Sequence, residues 1–154
     1  MKNTNRGFTL IELLVVVAII GILISIVLAV LGSAKDKGSD AGVKSDLRNA
    51  IAQGEILYNI RTANQNSYTN ACFNGVVDGA KGVGEFVLAA AKVSGLSSYV
   101  TNGVGTLTTA TCNDSAGAWA AEVPLKSTSG MWCVDSTGKS KLEPASFGAL
   151  RACA

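Results

Sequence analysis

The sequence contains no histidine and only two prolines. The absence of histidine excludes Ser-His-Asp triads and Cys-His nucleophile pairs, because both need an imidazole as the general base. Nucleotide-binding loops are missing as well: Gly79, Gly82 and Gly84 do not complete the G-x-G-x-x-G pattern, and no Walker sequence occurs. The chain is therefore not predicted to be an enzyme, and no cofactor is predicted for it.

Charged side chains are scarce, at 16% of the residues, and the formal net charge is +2. A strong nucleic-acid footprint needs a basic excess, so this balance argues against one. Lys126, Lys139 and Lys141 could form a small basic patch, although these positions are better explained as solvated hairpin residues. A nucleic-acid partner stays open but is not indicated.

One long hydrophobic run is present, from Leu13 to Leu31, and it contains no Lys, Arg, Asp or Asn. As a helix it would extend about 28 Å, close to the thickness of the hydrocarbon core of a bilayer. Lys2 and Arg6 precede the run, which predicts a cytoplasmic N-terminus. A cleaved secretory signal ending at Gly32-Ser33-Ala34 and a plain membrane anchor are both compatible with this segment.

Glu12 lies at the start of this apolar segment. A carboxylate at such a depth in a membrane is costly, by roughly 2.5–3.5 kcal/mol on insertion scales, so such a residue usually has a partner. The alternative is that Glu12 caps the N-terminus of the helix, where the helix dipole favours a negative charge.

The residues Gly7-Phe8-Thr9-Leu10-Ile11-Glu12, behind a short basic leader and before a long apolar helix, resemble the class III signal of type IV pilins and type II secretion pseudopilins. The resemblance implies that a prepilin peptidase removes residues 1–7 by cutting between Gly7 and Phe8, and then N-methylates Phe8. It also implies that Glu12 contacts the Phe8 amine of a neighbouring subunit. Since an unpaired charge is far costlier in low dielectric than a paired one, this contact would set the axial register of a fibre.

A second helical pattern follows the apolar run. Seven residues recur at spacings of three and four and form one apolar stripe of an amphipathic helix: Val43, Leu47, Ala50, Ile51, Gly54, Leu57 and Tyr58. We therefore expect one helix from about Phe8 to Arg61. Residues 8–34 would form its transmembrane or filament-core part, residues 35–61 its amphipathic continuation, and residues 62–154 a globular extracytoplasmic head.

Small residues line one face of the apolar helix, at Ala18, Gly21, Ser25, Ala29 and Gly32. Small side chains let helices approach closely in lipid or in a dry bundle, although glycine and alanine are also common in membrane helices in general. Many pilins carry a helix-breaking proline where this chain has Ala29. Whether the helix partly melts on assembly, as the resemblance implies, is therefore left open.

The expected fold class is α+β, with the long N-terminal helix packed against a small antiparallel β-meander of about three strands. A short extra helix and disulfides complete this pilin-like fold. The chain pattern indicates a loop at Thr62–Asn74, a helix at Glu85–Val93 closed by Gly95, and strands at Trp119–Leu125, at Met131–Asp135 and near Lys139–Leu142.

Four cysteines, Cys72, Cys112, Cys133 and Cys153, all follow the apolar segment, on the side predicted to be extracytoplasmic. An even number there predicts disulfides. A zinc site is a weaker interpretation of these cysteines than disulfides, because no two of them have a C-x₂₋₄-C spacing. Three pairings are open from the residues alone; the pilin resemblance, in which a disulfide closes the C-terminal segment, implies Cys133–Cys153 and leaves Cys72–Cys112.

Several acidic residues of the head are candidate ligands or surface charges. Pseudopilin heads can hold calcium, and this resemblance makes Asp114 and Asp135 candidate ligands. However, Asp135-Ser136-Thr137-Gly138 is too short and too poor in acids for an EF-hand and is better explained as a bare turn. Glu122 and Glu143 are expected to be exposed hairpin charges, and no metal site is predicted.

The resemblance implies a structural protein, a subunit of an extracellular type IV pilus-like filament that polymerises with copies of itself. Its precursor would lie in the inner membrane, and an inner-membrane assembly platform with a separate ATPase would lift it into the fibre. A type II secretion pseudopilin and a competence pilin are alternatives within this class. Two further alternatives are a monomeric membrane-anchored binding module and a secreted head released after Ala34.

Overall fold

The computed structural model describes residues 7–60 and 66–154. Helix α1 covers Leu10–Ile60, so the predicted long N-terminal helix is confirmed, with a start two residues after Phe8. The predicted leader residues Lys2 and Arg6 and the predicted helix end at Arg61 lie outside the described residues. The chain divides into two compact units, of which the first ends at Lys35 and the second comprises Asp36–Ala154.

In the second unit, α1 buries one stripe of its surface against the rest of the unit. The buried residues of α1 are Asp40, Val43, Leu47, Ala50, Gly54 and Leu57, and Ile51 and Tyr58 pack beside them partly buried. Their spacing of three and four is that of a helix with one face toward a core. The predicted apolar stripe is therefore confirmed, and Asp40 is its unpredicted member.

Asp40 is buried because its carboxylate satisfies a loop that crosses the helix. It accepts hydrogen bonds from the backbone N–H groups of Lys126, at 2.7 Å, and Ser127, at 3.0 Å, and from the Ser127 hydroxyl. Burial alone would raise the pKa of Asp40, but these donors outweigh it and hold the pKa below its ordinary value. The carboxylate thus ties the loop at Lys126 and Ser127 to the helix.

Seven strands and a second helix follow α1 in the part of the chain that the structure describes. They are β1 (Val76–Val77), β2 (Ala80–Lys81), α2 (Val83–Val93), β3 (Tyr99–Thr101), β4 (Ala110–Asp114), β5 (Trp119–Pro124), β6 (Met131–Asp135) and β7 (Ser140–Glu143). Helix α2 begins two residues before the predicted Glu85, and it is followed by Gly95, whose φ of 90° only glycine adopts at little cost.

The main sheet has five strands in the order β3-β4-β5-β6-β7. Strands β4 to β7 pair antiparallel with their neighbours, while β3 runs parallel to β4. Strands β1 and β2 form a separate antiparallel hairpin. The α+β class with a helix against a mainly antiparallel sheet is confirmed. The sheet has five strands where about three were expected: β5, β6 and β7 were predicted, and β3 and β4 were not.

Both faces of the sheet are covered, and all six residues of β5 are buried. Trp119, Ala121 and Val123 of β5 join the core formed with α1 and α2. The alternate residue Ala120 lies in a second apolar cluster with Phe147 and Cys153. These last two residues belong to the C-terminal strap, residues 144–154, which therefore covers the face of the sheet opposite the helices.

Two disulfides brace this arrangement, and no free cysteine remains among the described residues. Cys72–Cys112 joins the turn segment before β1 to β4. Cys133–Cys153 joins β6 to the C-terminal strap. These are the two pairs that the pilin resemblance implies, and each such bridge typically contributes about 2–4 kcal/mol.

Gly54 gives the sharpest test of how α1 packs on the sheet. A Cβ atom at Gly54 would lie 2.6 Å from Nε1 of the buried Trp119, so Gly54→Ala should destabilise the protein by about 1–3 kcal/mol through overpacking. At Gly38, on the same helix, an added Cβ meets nothing within 4 Å, and Gly38→Ala should stabilise by about 0.5–1 kcal/mol. Chemical unfolding of the full chain in detergent measures both, and equal effects would contradict this packing.

Candidate functional site

The N-terminal end of α1 is closed by a reciprocal cap between Thr9 and Glu12. Glu12 Oε2 accepts hydrogen bonds from the Thr9 backbone N–H, at 2.8 Å, and from the Thr9 hydroxyl, at 2.7 Å. In return the Glu12 backbone N–H donates to Thr9 Oγ1 at 3.3 Å. This is a capping box, in which a Thr three residues before a Glu satisfies the free N–H groups of a helix start.

The cap explains why α1 begins at Leu10 and not at Phe8. Thr9 was not predicted as a functional partner, although the pattern Thr-x-x-Glu before an apolar run announces it. In the single chain, Glu12 therefore caps the N-terminus of the helix, which is the alternative to pairing with a neighbouring subunit. No hydrogen bond to Glu12 Oε1 occurs within residues 7–60 and 66–154, so the cap occupies one carboxylate oxygen and leaves the other accessible.

Gly7 and Phe8, the residues predicted to flank a cleavage site, lie before the helix and are exposed. A Cβ atom at Gly7 would meet nothing within 4 Å, so packing within the chain does not explain a glycine there. The Phe8 side chain is 85% exposed. Both residues are thus accessible from outside the chain.

An uncovered apolar surface runs from Phe8, just before α1, along the helix to Leu31. Every large apolar side chain in this stretch is between 48% and 89% exposed. By length and composition, this helix could cross a membrane, and it is the one such helix among the described residues. Such a surface has to be covered by lipid or by other protein, because water penalises exposed apolar area.

The predicted small-residue face lies on this uncovered stretch, at Ala18, Gly21, Ser25, Ala29 and Gly32. The Ser25 hydroxyl donates to the Gly21 carbonyl at 2.9 Å, so its polar group is satisfied within the helix. A Cβ atom at Gly21 or Gly32 would meet nothing within 4 Å. The helix is continuous through Ala29.

Glu122 and Glu143, expected to be exposed, are both buried. Glu122 is fully buried because it lies in the central strand on the face that the C-terminal strap covers, and it accepts hydrogen bonds from the Phe147 backbone N–H, at 3.0 Å, and the Ser146 hydroxyl. Glu143 is 6% exposed and forms an ion pair with Lys141 at 3.3 Å. The exposure prediction failed since the second face of a sheet is covered here by chain without regular structure.

Asp114 and Asp135, the candidate calcium ligands, are surrounded by hydrogen-bond donors. Asp135 accepts from the backbone N–H groups of Thr137, at 2.9 Å, and Cys153, at 3.0 Å. Asp114 accepts from the Cys72 N–H at 3.0 Å and from the Asn102 amide at 2.7 Å. Both carboxylates thus hold backbone in place, and a cation at either would have to displace these donors.

Comparison with known proteins identifies the N-terminal segment. Residues 2–31 match the family model described as "Prokaryotic N-terminal methylation motif". The predicted class III signal is therefore confirmed, and this signal is the hallmark of type IV pilins and pseudopilins. No curated protein and no solved structure matches the chain.

The motif supports a precursor of the type IV pilin or pseudopilin type, a structural class of protein. A class III signal implies processing by a prepilin peptidase and assembly into a polymer. Together with the apolar helix, it indicates a membrane-anchored precursor.

The buried Glu122 should make stability depend on pH in a defined direction. Burial raises its pKa above the ordinary value, the Ser146 hydroxyl and Phe147 N–H oppose the rise, and Glu143 adds to it. The contribution of Glu122 to the free energy of unfolding is then fully present below its unfolded-state pKa, and it is lost as the pH rises through its folded-state pKa. Glu122→Gln does not titrate, so the variant should gain stability relative to wild type as the pH rises from the unfolded-state pKa of a glutamate toward the raised folded-state pKa of Glu122.

Denaturant unfolding of the full chain in detergent across this pH range measures the difference. Ser146→Ala serves as a second variant: it removes a donor to the ionised carboxylate, and should therefore lose more stability than wild type as the pH rises. A difference that increasingly favours wild type over Glu122→Gln toward neutral pH would contradict the burial argument.

Proposed function

We propose that the chain is the structural subunit of an extracellular type IV pilus-like filament. It is made as a prepilin, cleaved between Gly7 and Phe8, N-methylated on Phe8 and polymerised through its apolar helix. The observation that carries the proposal is the Glu12 carboxylate at the start of an otherwise apolar, uncovered helix. Thr9 donates to its Oε2 atom, and its Oε1 atom accepts no hydrogen bond from the described residues.

The division of the chain follows from this function. Residues 1–7 are a leader that the peptidase removes. Residues 8–34 are the transmembrane segment of the precursor and later the filament core. Residues 35–61 continue the helix as the spine of the head, and residues 62–154 form the head on the outside of the fibre.

Glu12 sets the register between subunits. Cleavage before Phe8 creates a new amine near the carboxylate, and a second amine comes from each neighbouring copy. Because Oε2 is held by Thr9, Oε1 is positioned to accept from the amine of a neighbour. In a dry helical bundle only a neighbour at the right axial displacement neutralises the charge, and every other register leaves it unpaired at high cost.

The small-residue face supports the same proposal. Gly21 and Gly32 leave open space on the helix surface, and Ser25 is satisfied internally. A neighbouring helix can therefore approach closely along Ala18, Gly21, Ser25, Ala29 and Gly32, gaining van der Waals contact without burying an unsatisfied hydroxyl.

The partners are copies of the same chain, the prepilin peptidase, an inner-membrane assembly platform and a separate assembly ATPase. We favour a pilus over a secretion pseudopilus or a competence pilus because two disulfides brace the head, including one that closes the C-terminal strap. A head that coats a long fibre outside the cell has the greater need of such bracing.

Glu12→Gln and Thr9→Ala separate the two roles of Glu12. Glutamine still completes a capping box but carries no charge to neutralise an amine, so Glu12→Gln should be processed normally and yet form no surface filament. Thr9→Ala weakens the cap by about 0.5–2 kcal/mol but keeps the charge, so it should be processed and should assemble. Sheared-filament yield and the mass of the processed subunit in membranes are the measurements.

The reverse pattern would overturn the proposal. If Glu12→Gln assembles like wild type while Thr9→Ala does not, Glu12 acts only as a helix cap. If both variants are displayed at the surface at wild-type level without any filament, the monomeric membrane-anchored module is the correct class.

A further inference from the structure

A cleft in the head has a chemical character that filament assembly does not explain. It is a cavity of about 340 Å³ whose lining includes Phe73, Tyr99 and Asp114 with three asparagines, Asn70, Asn74 and Asn102. A second cavity of about 410 Å³ shares Phe73 and Asn70 with it. Phe73 therefore lines two adjoining cavities, and the volume of each is in the range of ligand sites.

The aromatic part of the cleft is exposed and held in position. Phe73 is 55% exposed, so its ring is accessible to a ligand. Its ring lies against Gly75, where a Cβ atom would be 2.7 Å from Cε1 and where φ is +152°. Tyr99 is fixed by the hydrogen bond that its hydroxyl donates to the Cys72 carbonyl at 2.6 Å.

The polar part combines a rigid floor with accessible amides. Asn102 and Asp114 bind each other twice: the Asn102 amide donates to Asp114 Oδ1 at 2.7 Å, and the Asp114 N–H donates to Asn102 Oδ1 at 2.8 Å. The side-chain amides of Asn70 and Asn74 make no hydrogen bond to any described residue. Each offers two donors and an acceptor to a ligand.

The charge of the cleft restricts what can bind. No lysine or arginine is among the described residues that line either cavity, so an anionic ligand would find no counter-ion. Two carboxylates line the cavities, Asp114 in the first and Asp78 in the second, and both would repel an anion. Both oxygens of Asp114 are engaged with N–H groups, so a cationic ligand would compete with them. A neutral ligand rich in hydroxyl groups fits best.

We propose that this cleft binds a neutral pyranose sugar within an oligosaccharide. One face of a pyranose ring carries C–H groups that pack on the electron-rich face of Phe73. Its vicinal hydroxyls pair with the donor and acceptor of the Asn70 and Asn74 amides. The two cavities beside Phe73 take successive sugar rings of the oligosaccharide, so a disaccharide binds more tightly than a monosaccharide.

Binding is tested on the unassembled full-length chain in a zwitterionic detergent, because detergents with sugar headgroups would compete. The probes are lactose, N,N′-diacetylchitobiose and 3′-sialyllactose, measured by calorimetry and by NMR shifts of the asparagine side-chain amides. We expect saturable binding of lactose or of N,N′-diacetylchitobiose, and binding of the sialylated probe at least about tenfold weaker than binding of whichever neutral disaccharide binds. Lactose binding alone points to surface glycans of a host, and diacetylchitobiose binding alone points to amino-sugar chains of a cell wall.

Three variants make the test specific. Phe73→Ala should weaken binding by about tenfold or more, and Phe73→Tyr should retain it. Leu142→Ala, which removes an exposed apolar side chain on the opposite edge strand β7, should leave binding unchanged. No saturable binding of any neutral probe, or equal binding by wild type and Phe73→Ala, would overturn the proposal.

A third outcome would also overturn it. If Phe73→Ala leaves sugar binding unchanged but prevents filament formation, the exposed ring is a contact between copies of the chain. Because sugar binding is measured before assembly, its failure leaves the filament proposal standing, and failure to form filaments leaves the sugar proposal standing.

Discussion

The uncovered apolar surface from Phe8 to Leu31 is the constraint on which the rest of this protein depends. Such a surface is unstable in water and has to be covered by lipid or by other helices. Only one charged side chain, Glu12, interrupts it. In the single chain the Thr9–Glu12 cap hydrogen-bonds one oxygen of that carboxylate without supplying a positive charge. Under the filament proposal, the helix lies in the bilayer in the precursor and forms a register-specific contact in the polymer.

The head is stabilised in a different way, by covering both faces of a small sheet in a chain that is rich in glycine. Helices α1 and α2 cover one face of the sheet, and the C-terminal strap covers the other. The strap has no regular structure, so side chains satisfy its backbone: Glu122 and Asp135 accept its N–H groups, and Cys153 anchors its end. Polar residues in the sheet therefore face inward and hold the fold together. The exposed aromatic cleft lies outside this framework and is left accessible.

Much of this architecture could be predicted from the sequence because it depends on periodicity. The stripe Val43, Leu47, Ala50, Gly54 and Leu57 and strands β5 to β7 follow from local patterns. Strand β4 was missed because Ala110–Asp114 is polar, and its polarity is compensated only by contacts distant in sequence. The β1–β2 hairpin was missed although Asp78-Gly79 is a strong turn signal. The burial of Asp40 and Glu122 could not be predicted, since both depend on loops more than twenty residues away.

As the proposed filament subunit, the chain leaves the membrane only after processing. The most direct test is the intact mass and the N-terminal peptide of protein sheared from the native cell surface. We expect a polypeptide that begins at N-methylated Phe8 in the sheared filament fraction. A polypeptide that begins at Met1 and occurs only in membranes, or one that begins at Lys35 in the medium, would contradict it.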